Sequence, residues 1–294
     1  MSLPLEGLAA IVTGAGRGLG RAYAQALAAR GARVAVAELG ADGKQTADEI
    51  ASEGGTARAF EADVADFTSV QRMVNEILAT WGRVDILINN AGILRDRTLL
   101  KMELEDFRKV LDVHVMGSVH CSKAVWPAMR EQNYGRIVLT TSSSGMYGTF
   151  GQSNYGAAKA ALFGLMNVLH MEGERHDIRV NAIMPSAATR MTEGLLKPEA
   201  AQLLAPDAVA PGVLYLVSAD APSRMVLSAG GGSFARVYVT ETEGISVSGD
   251  ELTPEVIAKR IDEINDPTGA RALSSGFEQA EKLTAAATRS RARP

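Results

Sequence analysis

Tyr155 and Lys159 stand four residues apart in a stretch, running on through Ala157 to Leu165, whose spacing predicts a helix. Residues i and i+4 share one helical face. A phenol beside an ammonium ionises more readily, because the opposite charge favours the phenolate. Tyr155 is therefore a candidate acid/base group. Upstream, Arg136-Ile137-Val138-Leu139-Thr140 reads as a buried strand, with Ser142, Ser143 and Ser144 after it. A hydroxyl at that strand end can reach the same substrate oxygen and steady its developing charge. Tyr147 has no lysine four residues on and fits a pocket wall better than a catalytic role.

A second group of residues points to a nucleotide. Leu8 to Thr13 predicts a strand and Arg21 to Arg30 a helix, with Gly14-Ala15-Gly16-Arg17-Gly18-Leu19-Gly20 between them. Glycines in that context let the backbone turn tightly and approach a pyrophosphate at the helix N-terminus. The next strand, Arg33 to Glu38, ends in an acid where a dinucleotide fold places the carboxylate for the adenosine ribose. Such a carboxylate repels a 2′-phosphate, so NAD is expected over NADP. Arg17 gives the opposite signal, and Glu38 outweighs it. Asp63, at the end of a strand expected over 57–64, falls near the adenine.

The elements that must hold these residues alternate. Helices are expected over 41–52, 70–81, 107–129 and 209–218, and strands over 84–88, 179–185 and 225–228. Val84-Asp85-Ile86-Leu87-Ile88 is apolar enough for a sheet covered on both faces. Asn89-Asn90-Ala91-Gly92 follows at its carboxyl end, where ligands bind in such sheets. His114 lies inside the long 107–129 helix. Residues 186–204 suggest a helical flap with an apolar underside. Beyond Gly230-Gly231-Gly232 a strand over 234–240 and a helix opening at Thr253-Pro254 are expected, the helix with Val256, Ile257, Ile261 and Ile264 on one face and its end at Asp266-Pro267. Residues after about 283 are expected to be disordered. The domain organisation expected is a nucleotide-binding domain over 1–235 and an extension over 236–294.

Composition narrows the class. The chain has 294 residues, 46% hydrophobic and 22% charged, with net charge −4, which argues against nucleic-acid and anionic-membrane surfaces. Cys121 is the only cysteine, so a reducing compartment, the cytoplasm, is expected. No signal peptide is expected, and no run approaches the ~20 residues of a membrane span. No metal-ligand pattern stands out.

Four motifs in order, Thr13 to Gly20, Asn89 to Gly92, Ser142, and Tyr155-x3-Lys159, resemble the short-chain dehydrogenase/reductase family over residues 5 to about 235. The resemblance implies an α/β fold with a Rossmann-type doubly wound parallel sheet, a nicotinamide cofactor and hydride transfer at a carbonyl or alcohol carbon. It singles out Ser142, thirteen residues before Tyr155, from its two neighbours. It implies cofactor contacts from Gly14, Arg17, Gly18, Leu19, Gly20, Glu38, Asp63, Val64, Asn90, Ala91, Gly92, Tyr155, Lys159, Pro185 and Thr189. It also implies a homodimer or homotetramer, with the 107–129 helix at the interface.

A narrower likeness is to the (3R)-hydroxyacyl-CoA dehydrogenase module of multifunctional β-oxidation enzymes. It rests on Asn90 to Thr98, Tyr134 to Ile137, Gly148 to Tyr155, Arg190-Met191-Thr192 and the Thr253-Pro254-Glu255-Val256 extension. His114 stands where most of the family carries an asparagine of the proton relay; that branch also tends to have histidine there. His114 thus joins Ser142, Tyr155 and Lys159 as a catalytic candidate. Met146, Tyr147, Phe150, Met191 and Leu195, with Met184, suggest an apolar substrate pocket. A 3-hydroxyacyl thioester oxidised with NAD is the leading expectation. A hydroxysteroid or other secondary alcohol comes second, and a catalytically silent nucleotide-binding protein third.

Overall fold

The apolar runs of the sequence become the centre of a parallel sheet. The computed structural model describes residues 3–189 and 198–291. Its strands are β1 (Ala9–Thr13), β2 (Arg33–Glu38), β3 (Thr56–Glu61), β4 (Ile86–Asn89), β5 (Gly135–Thr140), β6 (Ile178–Pro185), β7 (Val226–Gly230) and β8 (Ser233–Val237). The helices of the nucleotide-binding part are α1 (Gly18–Ala28), α2 (Asp42–Ser52), α3 (Phe67–Trp81), α4 (Leu104–Leu111), α5 (Gly117–Gln132), α6 (Ser143–Tyr147), α7 (Ser153–Gly173), α8 (Pro198–Leu203) and α9 (Ala210–Leu216).

Strand order is β3-β2-β1-β4-β5-β6-β7-β8. Pairing is parallel from β3 across to β7. Every residue of β1, β4 and β5 is buried, as strands covered on both faces require. The two-residue turn Gly231-Gly232 then returns the chain as β8 beside β7. Strand order runs outward in opposite directions from β1 and β4. Ligands bind in the crevice at the carboxyl ends of such strands. This is the doubly wound sheet expected from the motifs. Its core includes Val12, Tyr23, Leu27, Val34, Ile86, Ile88, Val138 and Ile183.

Two boundaries near the site differ from expectation. The third strand stops at Glu61, because Asp63 turns back and its Oδ1 accepts from Ala65 N at 2.9 Å. The helix expected over 107–129 is interrupted by a π-helical turn, Asp112–Met116, between α4 and α5. The extra residue in that turn carries His114 into the interior, where it is buried. Among the described residues no helix is long and apolar enough to cross a membrane.

The chain divides into two compact units, residues 1–236 and the residues from 237 onward. In the second unit the helix expected from Thr253 to Asn265 breaks at Arg260 into α10 (Pro254–Lys259) and α11 (Ile261–Asn265). Arg260 leaves helical geometry with ψ 22°, and its guanidinium pairs with both Glu263 oxygens at 2.9 and 2.7 Å. The tail expected to be disordered is instead α12 (Gly276–Arg291). Ala, Glu, Lys, Leu and Arg favour helix there, and Ser275 Oγ caps its start by accepting from Glu278 N at 3.1 Å.

Candidate active site

The glycine loop closes on itself too tightly for side chains. Gly14 has φ 63°, and a Cβ on it would lie 2.8 Å from Ala91 Cα. A Cβ on Gly20 would lie 2.1 Å from Gly14 O, deep inside contact distance. Asn90 staples this loop to the end of β4: its Nδ2 donates to Thr13 O at 3.0 Å and Gly14 O at 3.2 Å. Thr13 Oγ1 accepts from both Asn90 N and Ala91 N at 3.0 Å. Gly18, Leu19 and Gly20 open α1.

Glu38 Oε2 accepts from Gly16 N at 2.9 Å and Oε1 from Leu39 N at 3.1 Å. Each oxygen keeps a further lone pair for a ribose hydroxyl. Arg17, the residue that argued for a 2′-phosphate, pairs instead with Asp42 at 3.1 Å, both side chains more than half exposed. The space beside Gly18 ends at Thr189, whose Cγ2 would lie 3.5 Å from a Cβ there. Val64 presses against Gly117 at the start of α5, and its carbonyl lies 2.9 Å from His120 Nδ1. Pro185 closes β6. These groups fit a dinucleotide: a backbone cradle at a helix start, then a carboxylate at the end of the next strand.

The catalytic candidates meet at the carboxyl end of β5. Ser142 is the N-cap of α6, and its Oγ accepts from Ser144 N at 3.2 Å. The Ser142 hydroxyl is near enough to the Tyr155 phenol to favour its ionised form. From the π turn, the His114 ring meets Tyr155 edge-on, with centroids 5.3 Å apart. His114 Nε2 lies 2.9 Å from Ile93 O and 3.1 Å from Ile93 N. His114 Nδ1 is buried with no partner among the described residues. Gly92 passes so close that a Cβ there would sit 2.3 Å from His114 Cε1. Lys159 Nζ lies 5.5 Å above the Tyr155 ring and donates to Thr140 O at 2.5 Å. Thr141 Oγ1 donates to Lys159 O at 2.9 Å, which fixes that turn of α7.

The electrostatics correct the sequence reading. Lysine was expected to hold the Tyr155 phenol below its ordinary range. The phenol is instead raised, first by burial, with the Ser142 hydroxyl lowering it and the Asp96 carboxylate raising it. Burial also brings the Lys159 ammonium down to about 7 and the His114 imidazole to about 3. Burial thus favours a neutral lysine, and a neutral lysine does little to favour a phenolate.

The apolar pocket is only partly assembled. Met146 is half-buried, while Tyr147 is 71% and Phe150 is 92% exposed, so these two face outward rather than into an enclosed cavity. Met184 belongs to the core of β6. Met191, Leu195 and the middle of the expected flap, residues 190–197, lie outside the described residues; α8 is its described end. Sequence reading gave no role of their own to Thr13, Asp96 or Gln152, and weighed Ser144 only as a rival to Ser142. A threonine at the end of a buried strand was the one available signal for Thr13.

Residues 8–200 match the family model described as short chain dehydrogenase. The chain is 43% identical over 272 residues to a short-chain type dehydrogenase/reductase of Mycobacterium tuberculosis, covering 89% of this chain and 95% of that protein. The structure of full-length peroxisomal multifunctional enzyme type 2 from Drosophila melanogaster matches with TM-score 0.84 and 34% identity, over 98% of this chain and 50% of that one. This chain therefore spans about half the length of that fly enzyme. A 7α-hydroxysteroid dehydrogenase, solved with NADH and 7-oxo glycochenodeoxycholic acid, matches with TM-score 0.73 and 31% identity, over 79% of this chain and 96% of that one. With its motifs joined in one crevice and its sheet wound as theirs is, this chain belongs to the short-chain dehydrogenase family.

Proposed function

We propose that the chain oxidises a 3-hydroxyacyl thioester with NAD, and reduces the corresponding ketone in reverse. The observation that carries the chemistry is the meeting of Ser142, Tyr155, His114 and Lys159 at the carboxyl end of β5, beside the nucleotide crevice. The glycine loop, Glu38, Asp63, Val64, Asn90 to Gly92, Pro185, Thr189 and Lys159 would hold the cofactor. The nicotinamide supplies the hydride acceptor. Tyr155 Oη takes the hydroxyl proton in oxidation and returns it in reduction. Ser142 Oγ donates to the same substrate oxygen and steadies its charge. His114 backs the Tyr155 ring as a neutral imidazole, and Lys159 lies over the ring face. A phenol raised by burial is ready as an acid for ketone reduction, and oxidation then gains with rising pH.

Glu38 supports NAD over NADP, since its carboxylate would meet a 2′-phosphate with like charge. The thioester reading is supported by the Asn90 to Thr98 and Gly148 to Tyr155 motifs. It is also supported by the match to the multifunctional enzyme across 98% of the chain, C-terminal extension included. A hydroxysteroid is the second reading, favoured by the neighbour solved with a bile-acid ligand. A homodimer or homotetramer in the cytoplasm completes the proposal.

The test is NADH or NADPH formation by purified protein across (3R)- and (3S)-hydroxyacyl-CoAs, hydroxysteroids and simple alcohols. The proposal expects NAD with a 3-hydroxyacyl-CoA to give the highest kcat/KM, by tenfold or more, roughly one hydrogen bond's worth of discrimination. Preference for a steroid replaces the substrate, and preference for NADP replaces the cofactor.

A further inference from the structure

We propose that Asp96 is a positioning residue for Tyr155: its carboxylate, fixed by Gln152, holds the loop that carries the catalytic hydroxyls and presents negative charge to the phenol. The inference rests on the reading of Tyr155 as the acid/base group.

Asp96 lies on the loop between β4 and α4, remote in sequence from the Ser142–Tyr155 segment. Gln152 Nε2 donates to Asp96 Oδ2 at 2.7 Å. The other end of that amide, Oε1, accepts from Ser144 Oγ at 2.8 Å. Ser144 N in turn donates to Ser142 Oγ at 3.2 Å. Asp96 and the Ser142 hydroxyl are thus joined by a continuous run of polar contacts, with one amide spanning the gap between two loops. Because both ends of Gln152 are engaged, the amide can neither flip nor swing without breaking a bond.

The backbone repeats the same latch. Arg97 N donates to Gly151 O at 2.9 Å, and Asn154 Nδ2 donates to Arg95 O at 2.9 Å. Residues 95–97 therefore lie along residues 151–154, directly before Tyr155 in α7. Asp96 Oδ1 is buried and has no partner among the described residues. An acid kept with one oxygen unsatisfied costs stability, which a neutral residue there would spare.

The groups facing Tyr155 come from every neighbouring element: Ser142 from the end of β5, His114 from the π turn, Lys159 from α7 and Asp96 from the loop after β4. Of these, Asp96 alone brings a negative charge. The nearby arginines are otherwise occupied: Arg97 Nη1 donates to the Asp96 carbonyl at 3.0 Å, and Arg95 pairs with Asp106 at 3.5 Å. A carboxylate near a phenol favours its protonated form. Asp96 therefore adds to burial, the larger cause, in keeping the proton on Tyr155.

The test compares Asp96→Asn, Asp96→Glu and Gln152→Met with the parent protein by two readouts. The first is ultraviolet titration of the Tyr155 phenolate in folded protein, taken as a difference against Tyr155→Phe. The second is the pH profile of kcat and KM for oxidation. Asp96→Asn keeps an acceptor for Gln152 but loses the charge. It is expected to move the phenol titration, and the rising limb of the oxidation profile, down by about half a pH unit or more. Asp96→Glu should restore the midpoint toward that of the parent. Gln152→Met keeps the charge and breaks the latch, so kcat should fall about tenfold with KM little changed. An unmoved phenol titration in Asp96→Asn overturns the charge role. Unchanged kcat in Gln152→Met overturns the latch, and serves if Asp96→Asn does not fold. The titration needs no substrate, so it reads Asp96 even if the 3-hydroxyacyl panel fails.

Discussion

Burial acts on each ionisable group at the centre of the site, and for His114 its effect on stability falls in the acid range. The imidazole titrates near 3 in the folded chain against an ordinary 6.5. Between those values the unfolded chain binds a proton that the folded one refuses. Stability must therefore fall as pH drops from about 6.5 toward 3. His114→Asn removes the titrating group, and its urea-unfolding free energy should decline less over that window than the parent's. Equal slopes would show that His114 is not buried as described. Spacing made Tyr155 and Lys159 legible in the sequence, and the family resemblance singled out Ser142 from its two neighbours. It could not show that Lys159 is desolvated, because the atoms that exclude water belong to β5, the π turn and the loop after β4. Asp96 was hidden for the same reason, being joined to Tyr155 through contacts between two loops that no local pattern encodes.

At the scale of elements, the parallel sheet was readable because its central strands are apolar on both faces. Strand ends were less so: a side-chain turn at Asp63, not a change in hydropathy, ends β3. The 107–129 run kept its helical pattern through the π turn, so the inserted residue left no mark in the periodicity, yet it decides where His114 points. The glycine loop makes the clearest prediction here. Gly20→Ala places a methyl 2.1 Å from Gly14 O and 2.6 Å from Asn90 Nδ2, so the loop must shift off the end of β4. Cofactor affinity should fall by roughly a hundredfold, the loss of two or so hydrogen bonds at the cradle. Quenching of protein fluorescence by NADH measures it, and an unaltered Kd would mean that the cradle does not carry the pyrophosphate.

The whole chain joins a large α/β unit to a smaller unit from residue 237 onward. The apolar helix face of the smaller unit was expected to pack on the larger domain or on a partner subunit; within this chain none of the unit's described residues is fully buried. Polar pairs organise it instead. The Glu241–Arg271 bridge is joined by Lys282 Nζ, 3.0 Å from Glu241 Oε1. A unit with no fully buried residue has little core to lose, so an excised peptide of residues 237–294 should show no cooperative thermal transition by circular dichroism. A sharp transition would contradict that reading. The central claim concerns the larger unit, where one phenol moves the substrate proton beside the nicotinamide. Its most direct test is Tyr155→Phe, assayed for NADH formation from a 3-hydroxyacyl-CoA and, separately, for NADH binding. The variant's kcat should be lower by roughly 10²–10⁴-fold, with cofactor affinity nearly unchanged. Turnover at the parent rate with bound cofactor would contradict the claim.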